Sequence, residues 1–101
     1  MILVGIDIGK NQHTFSIVDM NTGEILSNPS LFNNNQEGFL FLIKKLNMYS
    51  KSDLLIGMED TGHYHFALLK YLLDIRYTVA LINPTTTDLT RKLQGGITKN
   101  D

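Results

Sequence analysis

The sequence has no cysteine, carries almost no net charge and contains no long apolar run, and each absence excludes a class of protein. Without cysteine there is no disulfide framework and no thiolate to bind a metal or attack a substrate, which fits the cytoplasmic location we expect. A formal net charge of −1 excludes a strongly basic nucleic-acid module, although not an enzyme that acts on nucleic acid. No apolar run approaches the roughly 20 residues of a membrane-spanning helix, so we expect no membrane association.

The length and ordinary composition indicate one globular domain covering residues 1–101. Its 101 residues, 43% of them hydrophobic and 19% charged, suffice for a core of its own. Residues 97–101 follow Gly95 and Gly96 without an obvious closing element. We therefore expect the chain to be part of a longer protein.

The first strand, predicted at residues 2–10, contains the most unusual residue of the chain. Branched apolar residues lie on both of its faces, as in the centre of a sheet, and one carboxylate, Asp7, interrupts them before Gly9. A carboxylate there is costly to desolvate unless a metal, hydrogen bonds or the open end of the sheet receives it. Asp7 is therefore either a cap of the following turn or a ligand presented by a central strand.

Periodicity and turn signals predict seven further elements. Alternating residues indicate strands at 13–19 and 24–32, the latter irregular or at an edge because it contains Pro29. Asn34 and Glu37 are spaced like a capping box, and the apolar spacing that follows predicts a helix ending near Tyr49. A short apolar strand at 54–59 ends in Glu59. Three further elements complete the prediction. A helix begins at Thr61 and Gly62 and has an apolar stripe from Tyr64 to Ile75. A strand at 77–82 and a helix from 83 to about 93, begun by Asn83 and Pro84, follow it.

The resulting order, β-β-β-α-β-α-β-α, predicts the fold class. Three leading strands joined by tight turns should be antiparallel, and the strands reached through helices should be parallel with right-handed crossovers. We predict an α/β fold with a mixed five-stranded sheet and helices on both faces, the ribonuclease-H-like arrangement.

Two carboxylates should meet in such a sheet. The strands that end in Asp7 and Glu59 would be central neighbours, and two close carboxylates favour a divalent cation between oxygen ligands. Mg²⁺ takes one or two carboxylates, several waters and substrate phosphate, and a pair of such ions can stabilise both oxygens of a phosphodiester displacement. Asp101, after a helix that can lead the chain back, is the third candidate.

Four segments together carry a family resemblance. They are residues 5–10 (GIDIGK), 59–64 (EDTGHY), 83–84 (NP) and 98–101 (TKND). In this order and spacing they resemble the N-terminal domain of DEDD transposases, insertion-sequence recombinases related to Piv-type DNA invertases with a RuvC-like fold. The resemblance covers essentially the whole chain.

The resemblance implies a catalytic role for the three carboxylates in cutting and rejoining DNA. Asp7, Glu59 and Asp101 would bind Mg²⁺ or Mn²⁺, and the family's fourth carboxylate, an Asp three residues further on, would lie beyond Asp101. The family also has a C-terminal domain with a nucleophilic serine, binds a guide RNA and acts as a homo-oligomer. The 101 residues alone are therefore expected to fold, to bind metal weakly and not to catalyse.

Several residues near these motifs are candidates for nucleic-acid contact, each with a structural alternative. A helix start at Thr61 and Gly62 could bind phosphate, or Thr61 could simply cap the helix. His63 could touch nucleic acid or pack, whereas Tyr64 is assigned to the core and His13 to a structural role. The basic candidates, which are equally typical of solvated surface, are Lys10, Arg91, Lys92 and Lys99.

Two alternatives belong to other classes of protein. The N-terminal lobe of an actin-like ATPase or sugar kinase opens with a similar strand, but its turn is rich in Gly, Ser and Thr, whereas residues 10–13 here are Lys-Asn-Gln-His. The other alternative is a non-catalytic module for nucleic-acid binding and assembly.

Overall fold

The computed structural model describes residues 1–59 and 62–82. Their elements follow the predicted order: β1 (Ile2–Asp7), β2 (Gln12–Asp19), β3 (Ile25–Asn33), α1 (Gln36–Leu46), β4 (Leu54–Glu59), α2 (Phe66–Asp74) and β5 (Val79–Ile82), with a 3₁₀ turn, Lys51–Asp53, before β4. The helix predicted at 83–93 lies outside the described residues. No helix in this part of the chain is long and apolar enough to cross a membrane.

The five strands form one mixed sheet in the order β3-β2-β1-β4-β5. β1 pairs antiparallel with β2 and parallel with β4, and β4 pairs parallel with β5. This arrangement confirms the ribonuclease-H-like fold class, with β1 at the centre. The β3 strand, which contains Pro29, is an edge strand with register shifts against β2, as its proline predicts.

One face of the sheet carries the core. Val4 and Ile6 of β1 are buried there beside the inward residues of β2 and β4, and both helices pack on this side. The rings of Phe39 in α1 and Tyr71 in α2 lie 5.2 Å apart, which shows that the two helices share one core. The prediction of helices on both faces is therefore not borne out within residues 1–59 and 62–82, where both helices lie on one face, and the helix predicted at 83–93 lies outside the described residues.

The first helix begins one residue later than predicted. Asn35, not Asn34, is its N-cap, with extended φ and ψ of −157° and 177° and a side chain that accepts a hydrogen bond from the Gly38 N–H at 2.8 Å. The capping box of Asn34 with Glu37 is therefore wrong, because the Asn34 side chain donates to Lys10 and Tyr64 carbonyls instead. The helix ends at Leu46, three residues before Tyr49.

The second helix also begins later than predicted, at Phe66. Gly62 has a φ of +78°, in the left-handed region that ends rather than begins a helix, and residues 62–65 form a turn. Tyr64, predicted to be core, is 46% exposed in that turn. Its helical spacing from Leu68 is accidental, because the residues between the two do not form a continuous helix.

Candidate metal-binding site

Asp7 and Glu59 end adjacent parallel strands in the same register. The pairing of β1 with β4 runs from Ile2 with Leu54 to Ile6 with Met58, so the next residue of each strand is a carboxylate. Neighbouring strands lie about 4.8 Å apart, and side chains in register point to the same face. The sheet therefore brings these two carboxylates together, as the sequence predicts.

Both carboxylates border the face of the sheet opposite the core. An open cavity of about 650 Å³ lies there, with walls from β1, β2 and β4. Its floor contains a row of small residues, Gly5, Ser16 and Gly57, which are register partners across the three strands. Thr14, the partner of Asp7 in β2, adds a hydroxyl beside the carboxylates. A polar substrate can thus approach both carboxylates from solvent.

The turn after Asp7 is closely fixed. A Cβ on Gly9 would overlap the backbone carbonyl of Gln12, so only glycine fits at this position. The Gly9 N–H donates to Nδ1 of His13 at 3.1 Å. This hydrogen bond ties the end of β1 to the beginning of β2.

His13 is fully buried at the base of this turn. Because its Nδ1 accepts a hydrogen bond, a neutral ring carries its proton on Nε2. Burial lowers the pKa of His13 below 6.5, while the Asn34 side chain and the negative charge of Asp7 act in the opposite direction. The Phe32 ring packs edge-on against the imidazole at 5.3 Å. These contacts support the structural role predicted for His13 from the sequence.

The remaining candidates divide into exposed residues and residues outside the described part. Lys10 is exposed in the turn after Gly9, and Gly62 and His63 are exposed in the turn that precedes α2. Gly62 and His63 therefore do not form a helix start. The other predicted site residues lie outside the described ranges: Thr61, Arg91, Lys92, Lys99 and Asp101.

Two carboxylates with an open approach are a partial but chemically suitable set for a hard divalent cation. Among residues 1–59 and 62–82, no three His, Asp or Glu side chains are grouped as metal ligands. Mg²⁺, however, often uses only one or two carboxylates and completes its shell with water and phosphate. Asp7 and Glu59 fit that pattern, and the cavity leaves room for the other ligands.

The fold is that of a RuvC-like domain. Among solved structures, RuvC from T. thermophilus, bound to a Holliday junction substrate, superposes with a TM-score of 0.60 at 13% identity, over 84% of this chain and 66% of that one. The fowlpox virus Holliday junction resolvase superposes with a TM-score of 0.54 at 15% identity, over 98% of this chain and 75% of that one. These likenesses concern the fold.

The sequence itself establishes the family. Residues 4–101 match the profile of the IS110-type DEDD transposases. The pilin gene-inverting protein of Moraxella lacunata is 31% identical over 100 residues, and the match covers 97% of this chain and 30% of that protein. This chain belongs to the IS110-type DEDD transposases, a family of DNA recombination enzymes. The chain spans about 30% of the length of that relative.

The contacts of Asn34 with the turns that flank the site could not be predicted from the sequence. Asn34 precedes the N-cap of α1, and its amide reaches both the turn after β1 and the turn before α2. In the sequence it is the middle residue of three consecutive asparagines, and no local pattern distinguishes it from its neighbours. The extended backbone of Asn35 decides which of the three caps the helix.

Proposed function

We propose that residues 1–101 form the N-terminal metal-binding domain of a longer DNA transposase, which cuts and rejoins DNA strands with bound Mg²⁺ or Mn²⁺. The observation that carries the proposal is the position of Asp7 and Glu59, which end adjacent parallel strands in one register at an open cavity. Membership of a transposase family supports the reaction class. The use of divalent metals by RuvC-like nuclease domains supports the metal.

The domain would contribute to the reaction by holding its carboxylates, and through them the metal, in fixed positions. Asp7 and Glu59 would share the metal, and Asp101 is proposed as a third ligand from the family motif. Bound metal lowers the barrier by neutralising charge on the scissile phosphate and polarising oxygens. The rigid strand ends keep the carboxylates in position, so little reorganisation is needed during the reaction. The exposed Lys10 is suited to contact a neighbouring phosphate.

The partners of the complete protein follow from the family and are proposals. They are DNA, a guide RNA, a C-terminal domain that supplies a nucleophilic serine, and further copies of the same chain, all in the cytoplasm. Thr61, Gly62, His63, Arg91, Lys92 and Lys99 are proposed nucleic-acid contacts. The actin-like ATPase or sugar-kinase alternative is not better supported by the comparisons or by the turn after β1.

The proposal is tested by removing the charge of each carboxylate in the complete transposase. Asp7→Asn and Glu59→Gln should each abolish metal-dependent strand cleavage, because a neutral amide binds Mg²⁺ poorly. Calorimetry should show the same two variants losing Mn²⁺ binding. Glu24→Gln is the matched control: Glu24 is an exposed carboxylate near Asp19, at the other end of the β1–β2 pair from Asp7.

Two results would decide against the proposal. Cleavage or Mn²⁺ binding that survives in both Asp7→Asn and Glu59→Gln would show that these carboxylates do not hold the metal. Guide-RNA binding without any metal-dependent cleavage by the unmodified transposase would favour the alternative of a non-catalytic assembly module.

A further inference from the structure

We propose that Asn34 is a positioning residue that fixes the separation between the two carboxylate-bearing strand ends. The inference rests on the proposed function, because it concerns the geometry of the site formed by Asp7 and Glu59. Asn34 itself belongs to neither strand. It lies between β3 and α1, and its amide is shared by the segments that follow Asp7 and Glu59.

The hydrogen bonds of Asn34 join two turns to one side chain. Its Nδ2 donates to the Lys10 carbonyl at 3.3 Å and to the Tyr64 carbonyl at 3.4 Å. Its backbone N–H donates to the Asn11 carbonyl at 2.9 Å. Lys10 and Asn11 belong to the turn after Asp7, and Tyr64 belongs to the turn before α2. One asparagine thus bridges the chain segments that follow the two carboxylates.

This bridge lies just beyond the end of the β1–β4 ladder. The last register pair of β1 with β4 is Ile6 with Met58, and each carboxylate is paired only on its other side, Asp7 with Thr14 of β2 and Glu59 with Ile82 of β5. Because no β1–β4 pair joins the two carboxylates directly, the turns that follow can still change the distance between them. His13 holds the first turn through Gly9, and Asn34 connects that turn to the second. Residues outside the ligand set that help to orient metal ligands commonly influence metal affinity.

Helix capping does not explain Asn34. The adjacent Asn35 already caps α1, and one side-chain cap is what a helix start requires. The Asn34 Oδ1 is buried, and its Nδ2 donates to the carbonyls of the two turns. The amide therefore lies between the turns rather than on the helix.

The neighbouring asparagines provide a matched experiment. In the complete transposase, Asn34→Ala should raise the Kd for Mn²⁺, measured by calorimetry, by about 10-fold, the lower end of the range for lost support of a metal ligand, because Asn34 contacts neither carboxylate directly. Without metal, the Gly9 amide should exchange its hydrogen faster, because its turn is no longer tied to Tyr64. Asn35→Ala removes the helix cap and should lower the melting temperature while leaving the Kd for Mn²⁺ unchanged.

A second variant separates the loss of the Asn34 amide donors from a general loss of folding. Asn34→Asp has the same shape but lacks both amide donors, so it should also accelerate exchange at Gly9. The inference is overturned if Asn34→Ala binds Mn²⁺ like the unmodified protein, or if Asn35→Ala weakens binding equally, since the effect would then follow stability alone. Failure of the proposed function is separate: Asp7→Asn would then retain Mn²⁺ binding whatever Asn34 does.

Discussion

At the scale of single residues, the sequence distinguishes a functional carboxylate from a structural one only in part. Asp7 could be predicted as a candidate because it ends an apolar central strand. Within the described residues its exposed side chain makes no hydrogen bond, whereas Asp19 accepts one from the Asn21 N–H at 2.8 Å. The capping interpretation that the sequence allows for Asp7 therefore describes Asp19 instead.

This difference predicts opposite effects of two identical substitutions. In metal-free buffer, Asp7→Ala should leave the melting temperature unchanged or raise it, because it removes repulsion from Glu59. Asp19→Ala should cost about 1 kcal/mol, the usual contribution of one such hydrogen bond. Thermal melts of both variants check the prediction. A loss in Asp7→Ala as large as that in Asp19→Ala would assign Asp7 a structural role.

The buried imidazole of His13 predicts a pH dependence of stability. Burial lowers the folded-state pKa below 6.5, so the unfolded chain takes up the proton first as the pH falls. The stabilisation from neutral His13 is complete above pH 6.5 and is lost as the pH falls from 6.5 through the lowered pKa. Denaturant melts between pH 7.5 and 5.5 should show the unfolding free energy decreasing.

The contribution of His13 is isolated by comparing variants. His13→Gln should flatten the pH slope, whatever its absolute stability, because it removes the imidazole whose pKa is lowered by burial. His63→Gln, which removes an exposed imidazole from the turn before α2, is the control and should keep the slope. An unchanged slope in His13→Gln would contradict the assignment.

At the scale of elements, apolar periodicity predicts which helical residues are buried better than where helices begin. In α1, Phe39, Leu42 and Leu46 are buried as their spacing predicts. In α2, Leu68 and Leu72 are buried, but Tyr64, in the same period, belongs to a turn. An apolar period of about 3.6 residues identifies the buried face of a helix. The helix boundary is set by backbone angles, such as the positive φ of Gly62 in the turn before α2.

The junction of β3 with α1 gives a prediction about close packing. A Cβ at Gly38 would overlap the backbone of Asn33, so Gly38→Ala forces β3 and α1 apart and should cost about 1–3 kcal/mol. Gly57→Ala is the matched control, because a Cβ there meets its nearest atom, in the Ile82 side chain, at 3.8 Å. Urea melts should show Gly57→Ala close to the unmodified protein. Equal losses in both variants would mean that glycine matters at these positions for another reason.

At the scale of the whole molecule, the topology follows from the order of elements and general rules of connection. Three consecutive hairpin strands, then strands reached through helices, leave few arrangements, and β3-β2-β1-β4-β5 is the observed one. The same topology predicts that Asp7 and Glu59 are neighbours. It does not predict the bridge made by Asn34, which depends on side-chain geometry between turns distant in sequence.

A core shared by both helices predicts that the described part of the chain unfolds as one unit. Leu42 of α1 and Leu68 of α2 are fully buried in the same cluster, whereas Leu40 and Leu73 on the same helices are each 52% exposed. Leu42→Ala or Leu68→Ala should each cost about 2–5 kcal/mol, since a buried leucine leaves a cavity. That is a large share of the roughly 5–15 kcal/mol of a typical domain.

The exposed leucines supply the controls, because Leu40→Ala and Leu73→Ala should change stability by about 0.5 kcal/mol or less. Amide exchange then tests cooperativity. In Leu42→Ala, protection should fall in α2 and in the central strands β1 and β4 as well as in α1, because these elements pack on one cluster. If protection fell in α1 alone, the first helix would be an independent unit, and the two carboxylate strands would keep their geometry without it.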